Sequence, residues 1–152
     1  MDEEEYKNFL TEEFKVIPLV VYEESEKIEQ PRVTKEEVPA YPRDYVVEKD
    51  VYHFTIRYAF SGSAVLFKIK PNTWTWISND IIVDEYEKTV SFSFKLYERD
   101  PKEFKREKSD AFRAAFTNLE NVNKFADEWN ASVAGIVHRE FQKVKNKFLK
   151  RE

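Results

Sequence analysis

From about Asn118 to Leu149, the apolar residues Val122, Ala126, Trp129, Val133, Ile136 or Val137, Phe141, Val144 and Phe148 recur with the 3.6-residue period of an amphipathic helix. No glycine or proline follows Gly135, so the stripe reaches the chain end without a stop signal. Seven or so turns of helix span about 40 Å, whereas strands of ordinary length run about 20 Å. A sheet therefore cannot cover such a helix along its full length. The surplus, from Trp129 onward, is expected to pair with another helix or to project as a stalk. Trp129, Val133, Ile136, Phe141, Val144 and Phe148 are the candidate interface residues, and self-association or a downstream domain is the expected partner.

What precedes this helix fits one domain. A chain of 152 residues can bury its own core, and 16% aromatic residues beside 36% charged ones argue against disorder. Cysteine is absent, which removes disulfides and thiolate sites and fits a reducing, cytoplasmic location. The N-terminus is acidic where an export signal is basic and then apolar, and no run is long enough to span a membrane. The charge is unevenly spread: the first fifty residues carry fifteen acids against seven bases, the last fifty-two carry twelve bases against eight acids. Cations near a helix C-terminus complement its dipole, and that reading of the basic tail is favoured over a nucleic-acid footprint because the whole chain is acidic.

Residues Asp2 to Phe14 carry Tyr6, Phe9, Leu10 and Phe14 among acids, the pattern of a short clamp helix docking one narrow stripe on a core. Val16 to Tyr22 reads as an edge strand, because Pro18 cannot donate to a ladder. Glu23 to Arg43, polar and holding Pro31, Pro39 and Pro42, reads as loop. Between Val51 and Phe60 the alternation is strict: Tyr52, Phe54, Ile56, Tyr58 and Phe60 share one face, His53, Thr55 and Arg57 the other. Ser61-Gly62-Ser63 then predicts a turn into a second strand, Ala64 to Lys70, with further strands at Thr73 to Ile77, Ile81 to Tyr86 and Thr89 to Tyr97, forming an antiparallel meander. Asp100-Pro101 predicts a helix start, and Thr117 to Glu120 a kink or short break. The expected fold is α+β in one domain: mainly strands over 15–100 making an antiparallel sheet of about five or six, covered by an N-terminal helix over 1–14 and a long helical region over 101–152.

Signals for chemistry are weak. His53 and His138 sit in different elements without ligand spacing, and Asp80, Asp84, Glu85 and Glu87 surround a turn where acids solvate. Ser61-Gly62-Ser63 is neither a nucleophile elbow nor a phosphate loop. No catalytic residue, metal site or cofactor is therefore assigned. Trp74 and Trp76, two apart on one strand face with Arg57, Lys68 and Lys70 near in sequence, form a candidate ligand platform, although core packing is the favoured reading.

Over roughly residues 60–150 the chain resembles a family, at residues 61–73 (Ser-Gly-Ser-Ala-Val-Leu-Phe-Lys-Ile-Lys-Pro-Asn-Thr), from Glu103 onward, and at Trp129-Asn130-Ala131-Ser132-Val133 and Lys145-Asn146-Lys147-Phe148-Leu149. They are similar to the N-terminal region of uncharacterised bacterial proteins that carry a C-terminal restriction-endonuclease-like domain of the PD-(D/E)xK type. The chain departs from that pattern at Ser63, Asn72 and Trp129, where Asp, Ser and Phe are usual. The resemblance implies a non-catalytic N-terminal binding or assembly module that positions or regulates an attached nuclease-type effector in defence against foreign DNA, with the nuclease residues beyond Glu152. Two alternatives stand beside it: a free-standing acidic inhibitor or immunity-type protein that blocks a basic partner, and, less favoured, an enzyme with a metal at Asp80 and Asp84.

Overall fold

The computed structural model describes residues 2–40, 45–69 and 81–149 and has the expected α+β architecture. The element order is α1 (Glu3–Phe14), β1 (Val20–Ile28), β2 (Arg32–Ala40), β3 (Tyr45–Ser61), a 3-10 turn (Ala64–Lys68), β4 (Ile81–Asp84), β5 (Thr89–Leu96), α2 (Pro101–Phe116) and α3 (Leu119–Leu149). Among the described residues the strands form one antiparallel sheet of five, ordered β1-β3-β5-β4, with β2 also on β3.

Strand β3 organises the sheet. The alternation at 52–60 places Ile56, Tyr58 and Phe60 in the core, and β5 supplies Val90 and Phe92 beside them. Helix α2 covers this face with rings set edge-on: Phe104 against Phe54 (centroids 4.9 Å apart) and Phe112 against Tyr58 (5.3 Å). Its start is fixed as the sequence predicts, with Asp100 accepting from the Lys102 N–H (3.0 Å) and Pro101 in the first turn. The break falls at Thr117 and Asn118, after which α3 runs unbroken for 31 residues. Val122 and Ala126 in its first half join the core.

Three expectations are corrected. Residues 23–40 are not loop but strand: β1 and β2 run end to end along β3, from the pair Val20 and Ser61 to the pair Ala40 and Tyr45, interrupted at Glu29 to Pro31. Among the described residues only β3 pairs with β2, so Pro39 lies in an edge strand, where a missing donor is tolerated. Ala64–Lys68 is a 3-10 turn rather than the second arm of a hairpin, because β1 and β5 already occupy both sides of β3. Leu66 instead plugs the end of the core, fully buried, and Phe67 sets its ring edge-on to Phe60 (5.0 Å). The turn into it uses Gly62 at φ +107°, a left-handed backbone, with the Pro18 carbonyl oxygen 2.3 Å from where a Cβ would stand. Consequently the strands form no sequential meander; β3 sits between β1 and β5. The predicted strand at Thr73 to Ile77 lies outside the described residues.

β3 also outreaches its neighbour. Pairing with β5 ends at Tyr52 and Leu96, so, among the described residues, 45–51 pair only with β2, as a two-stranded ribbon about 20 Å long. Lys35 faces Asp50 and Glu36 faces Lys49 across it, whereas Glu37 and Glu48 oppose each other.

Candidate functional site

The clamp helix does not dock on the sheet core as expected. α1 lies antiparallel along the second half of α3, with Tyr6 beside Phe141 (centroids 6.1 Å apart), Glu3 bonded to Lys145 (3.3 Å) and the Trp129 indole donating to the Phe14 carbonyl (2.6 Å). Asp2 caps α1 by accepting from the Glu5 N–H (2.8 Å), and Glu3, Glu4 and Glu5 place negative charge at the positive end of its dipole. The helix is lightly held, since none of its side chains is fully buried. Lys7 is the cation in the seam: it reaches Glu3 (3.2 Å), contacts His138 Nδ1 (3.1 Å) and lies over the Phe141 ring. Bonds from Lys7 and Lys145 hold the Glu3 carboxyl below the usual carboxylate range.

An extended strap joins α1 to the sheet, and two asparagines of α3 bind it. Asn130 accepts from the Val16 N–H (2.8 Å) and donates to the Val16 carbonyl (2.6 Å). Asn123 does the same for Leu19, at 2.7 and 2.8 Å. The spacings match: two helical turns rise about 10.5 Å and three extended residues about 10 Å. Each amide thus imitates one rung of a β-ladder, and the four bonds fix where α1 meets α3.

Between the two helices lies an apolar groove of about 510 Å³. One wall is Tyr6, Leu10 and Phe14, at i, i+4 and i+8; the other carries Trp129, Ile136, Phe141 and Val144. Of the six candidate interface residues, five line this groove. They are not equally free. Val133 is 1% exposed and lies at its floor; Trp129, Ile136 and Phe141 are half-buried; Val144 and Phe148 remain 56% and 68% exposed. The predicted need of this stripe for a helical partner is thus met in part within the chain, by α1. Phe9, exposed on α1, extends the apolar surface on the other side. Sequence reasoning had the α1 stripe but not its target; the signal was that α1 carries an apolar stripe and α3 has an apolar stretch that the sheet cannot cover.

The other candidates fare differently. Of the candidate ligand platform, Arg57 is engaged with Glu29 (2.6 Å) on the polar face of the sheet, and Trp74 and Trp76 lie outside the described residues. Asp84 caps its own turn, accepting from the Tyr86 and Glu87 N–H groups (both 3.0 Å); Asp80 is outside the described residues. Among the described residues no three His, Cys, Asp or Glu side chains gather as a metal site. No helix among them is long and apolar enough to cross a membrane.

Two further places were candidates for chemistry. A cleft of about 520 Å³ opens at the sheet end between Val33, Tyr52, Leu96 and Phe104. Its charges are already used: Arg99 donates to the Tyr52 hydroxyl (3.1 Å), Glu98 faces Lys49 (3.9 Å) and Asp100 caps α2. At the β1 edge, Glu26 accepts from the Tyr58 hydroxyl (2.6 Å) and from Lys108 (3.0 Å). Burial pushes the Glu26 carboxyl up, but these two bonds outweigh it and leave the group below its usual range. Burial, reinforced by the carboxylate, drives the Tyr58 phenol far upward. Both groups are thereby locked in their ordinary states at neutral pH, the opposite of the tuning that acid–base catalysis needs.

Compared with known proteins, the chain matches no family model, no curated protein and no solved structure.

Proposed function

We propose that this chain is a non-catalytic binding and assembly module, and that its working surface is the α1–α3 face. The observation that carries this reading is the apolar groove between the helices, whose rim residues Tyr6, Phe14 and Val144 remain exposed on a chain whose surface is otherwise heavily charged. Its ligand is another helical surface, because two antiparallel helices side by side present ridges and grooves that helices fill. In the setting implied by the sequence resemblance, the face positions an attached nuclease-type effector.

The test is binding of a fluorescent apolar dye, anilinonaphthalene sulfonate, to the dilute native protein. Emission should rise on mixing, and Val144→Glu should remove the rise without changing thermal stability, since Val144 is largely exposed. Val33→Glu, at the distant cleft, should leave it intact. Dye emission indifferent to Val144→Glu would falsify the assignment of this face.

A further inference from the structure

We infer that the occupant of the groove is a second copy of this chain, docked about a two-fold axis parallel to the helices, so that α1 of each copy lies against α3 of the other in a four-helix bundle. This rests on the α1–α3 face being the working surface. Each copy contributes a flat layer of two antiparallel helices, and closing such a layer takes a second of the same kind.

Charge selects the partner and its orientation. The first turn of α1 holds Glu3, Glu4 and Glu5, and the end of α3 holds Lys143, Lys145 and Lys147. These two ends lie at one height within the chain, as the bond between Glu3 and Lys145 requires. A two-fold axis along the helices preserves height and exchanges the walls, so the acidic turn of each copy meets the lysines of the other. A two-fold axis across the helices would instead lay α1 antiparallel on α1, with Glu4 and Glu5 over Glu12 and Glu13 of the other copy. That arrangement sets like charges face to face.

Area sets the strength. α3 from Trp129 onward is about 30 Å long and α1 about 18 Å, each about 10 Å wide, which gives a footprint of about 500 Å² per copy. The total of about 1,000 Å² lies at the lower limit for a specific interface, so the dimer is a weak one, with dissociation in the micromolar range.

Sedimentation equilibrium from about 1 to about 300 µM brackets that range. A reversible dimer should appear, weaken at high salt, and be lost in Val144→Glu. Glu4→Lys with Glu5→Lys should weaken it at least about tenfold, and so should Lys143→Glu with Lys147→Glu; all four together should restore it. All these positions are exposed, and circular dichroism checks that each variant folds. Should one not fold, cross-linking decides, because the chain has no cysteine of its own. Glu5→Cys mixed with Lys143→Cys should form a mixed disulfide, and Glu5→Cys alone should form none. A monomer at every concentration, or no restoration in the fourfold variant, overturns the inference. If the dye still binds and Val144→Glu still removes it, the module reading survives that result; if neither holds, both fall.

Discussion

Removing the amide of Asn123 or Asn130 tests whether the strap is what places α1. Each substitution to alanine deletes two hydrogen bonds and leaves one backbone N–H and one carbonyl without their partner. A hydrogen bond contributes about 0.5–1.5 kcal/mol net, so each asparagine is worth about 1–3 kcal/mol. Asn123→Ala belongs at the upper end, because Leu19 is 2% exposed and water cannot readily replace the amide. Asn130→Ala belongs lower, beside a half-buried Val16. The double variant should cost less than the sum, since one release already loosens the strap for the other. Urea unfolding followed by tryptophan fluorescence gives the free energies, and a melting point about 3 °C lower per kcal/mol should accompany them. Asn123→Asp is the sharper probe. It keeps the acceptor for the Leu19 N–H but sets a carboxylate oxygen against the Leu19 carbonyl, so it should be at least as damaging as alanine at neutral pH and should recover as acid protonates it. A cost below about 0.5 kcal/mol for Asn123→Ala, or an aspartate indistinguishable from asparagine at neutral pH, would refute the reasoning.

Two further outcomes follow from the same structure. Glu26 has its folded pKa lowered, so its contribution is complete above the ordinary glutamate value and is lost as pH falls through the depressed one; Tyr58 has its pKa raised, so its contribution is complete below the ordinary tyrosine value and fades above it. Urea midpoints against pH should therefore fall on both the acid and the alkaline side, with Glu26→Gln flattening the acid limb and Tyr58→Phe the alkaline one. The two glycines should respond to alanine with opposite signs. Gly135, with nothing within 4 Å of the added carbon, should gain about 0.5–1 kcal/mol in helix α3. Gly62, left-handed and against backbone oxygens, should lose about 2 kcal/mol or more, as thermal unfolding would register.

Strict alternation made β3 legible, because only one face of that strand meets aromatic helices. Its polar neighbours were not: β1 and β2 carry Glu23, Glu24, Glu36 and Glu37 and the interruption at Pro31, and edge strands need no apolar face to stay paired. The run at 64–68 was misread because a short apolar stretch has no period long enough to separate strand from turn, and the sheet had no free place beside β3. At the candidate site, the α3 stripe was plain from its spacing, yet α1 as its second wall was not. That pairing depends on Asn123 and Asn130, polar residues whose seven-residue separation has meaning only once an extended chain lies alongside.

The two walls of the groove are far apart in sequence, with Phe14 and Trp129 separated by 115 positions. Closing a loop of that size costs about 3 kcal/mol more than closing a turn of about five residues, and no buried side chain of α1 offsets it. α1 is therefore the last element to settle and the first to leave, and amide exchange along it should outpace exchange in β3. Until the final residues of α3 are in place there is only half a surface. A partner that needs both walls accordingly meets only chains in which α1 has docked on α3.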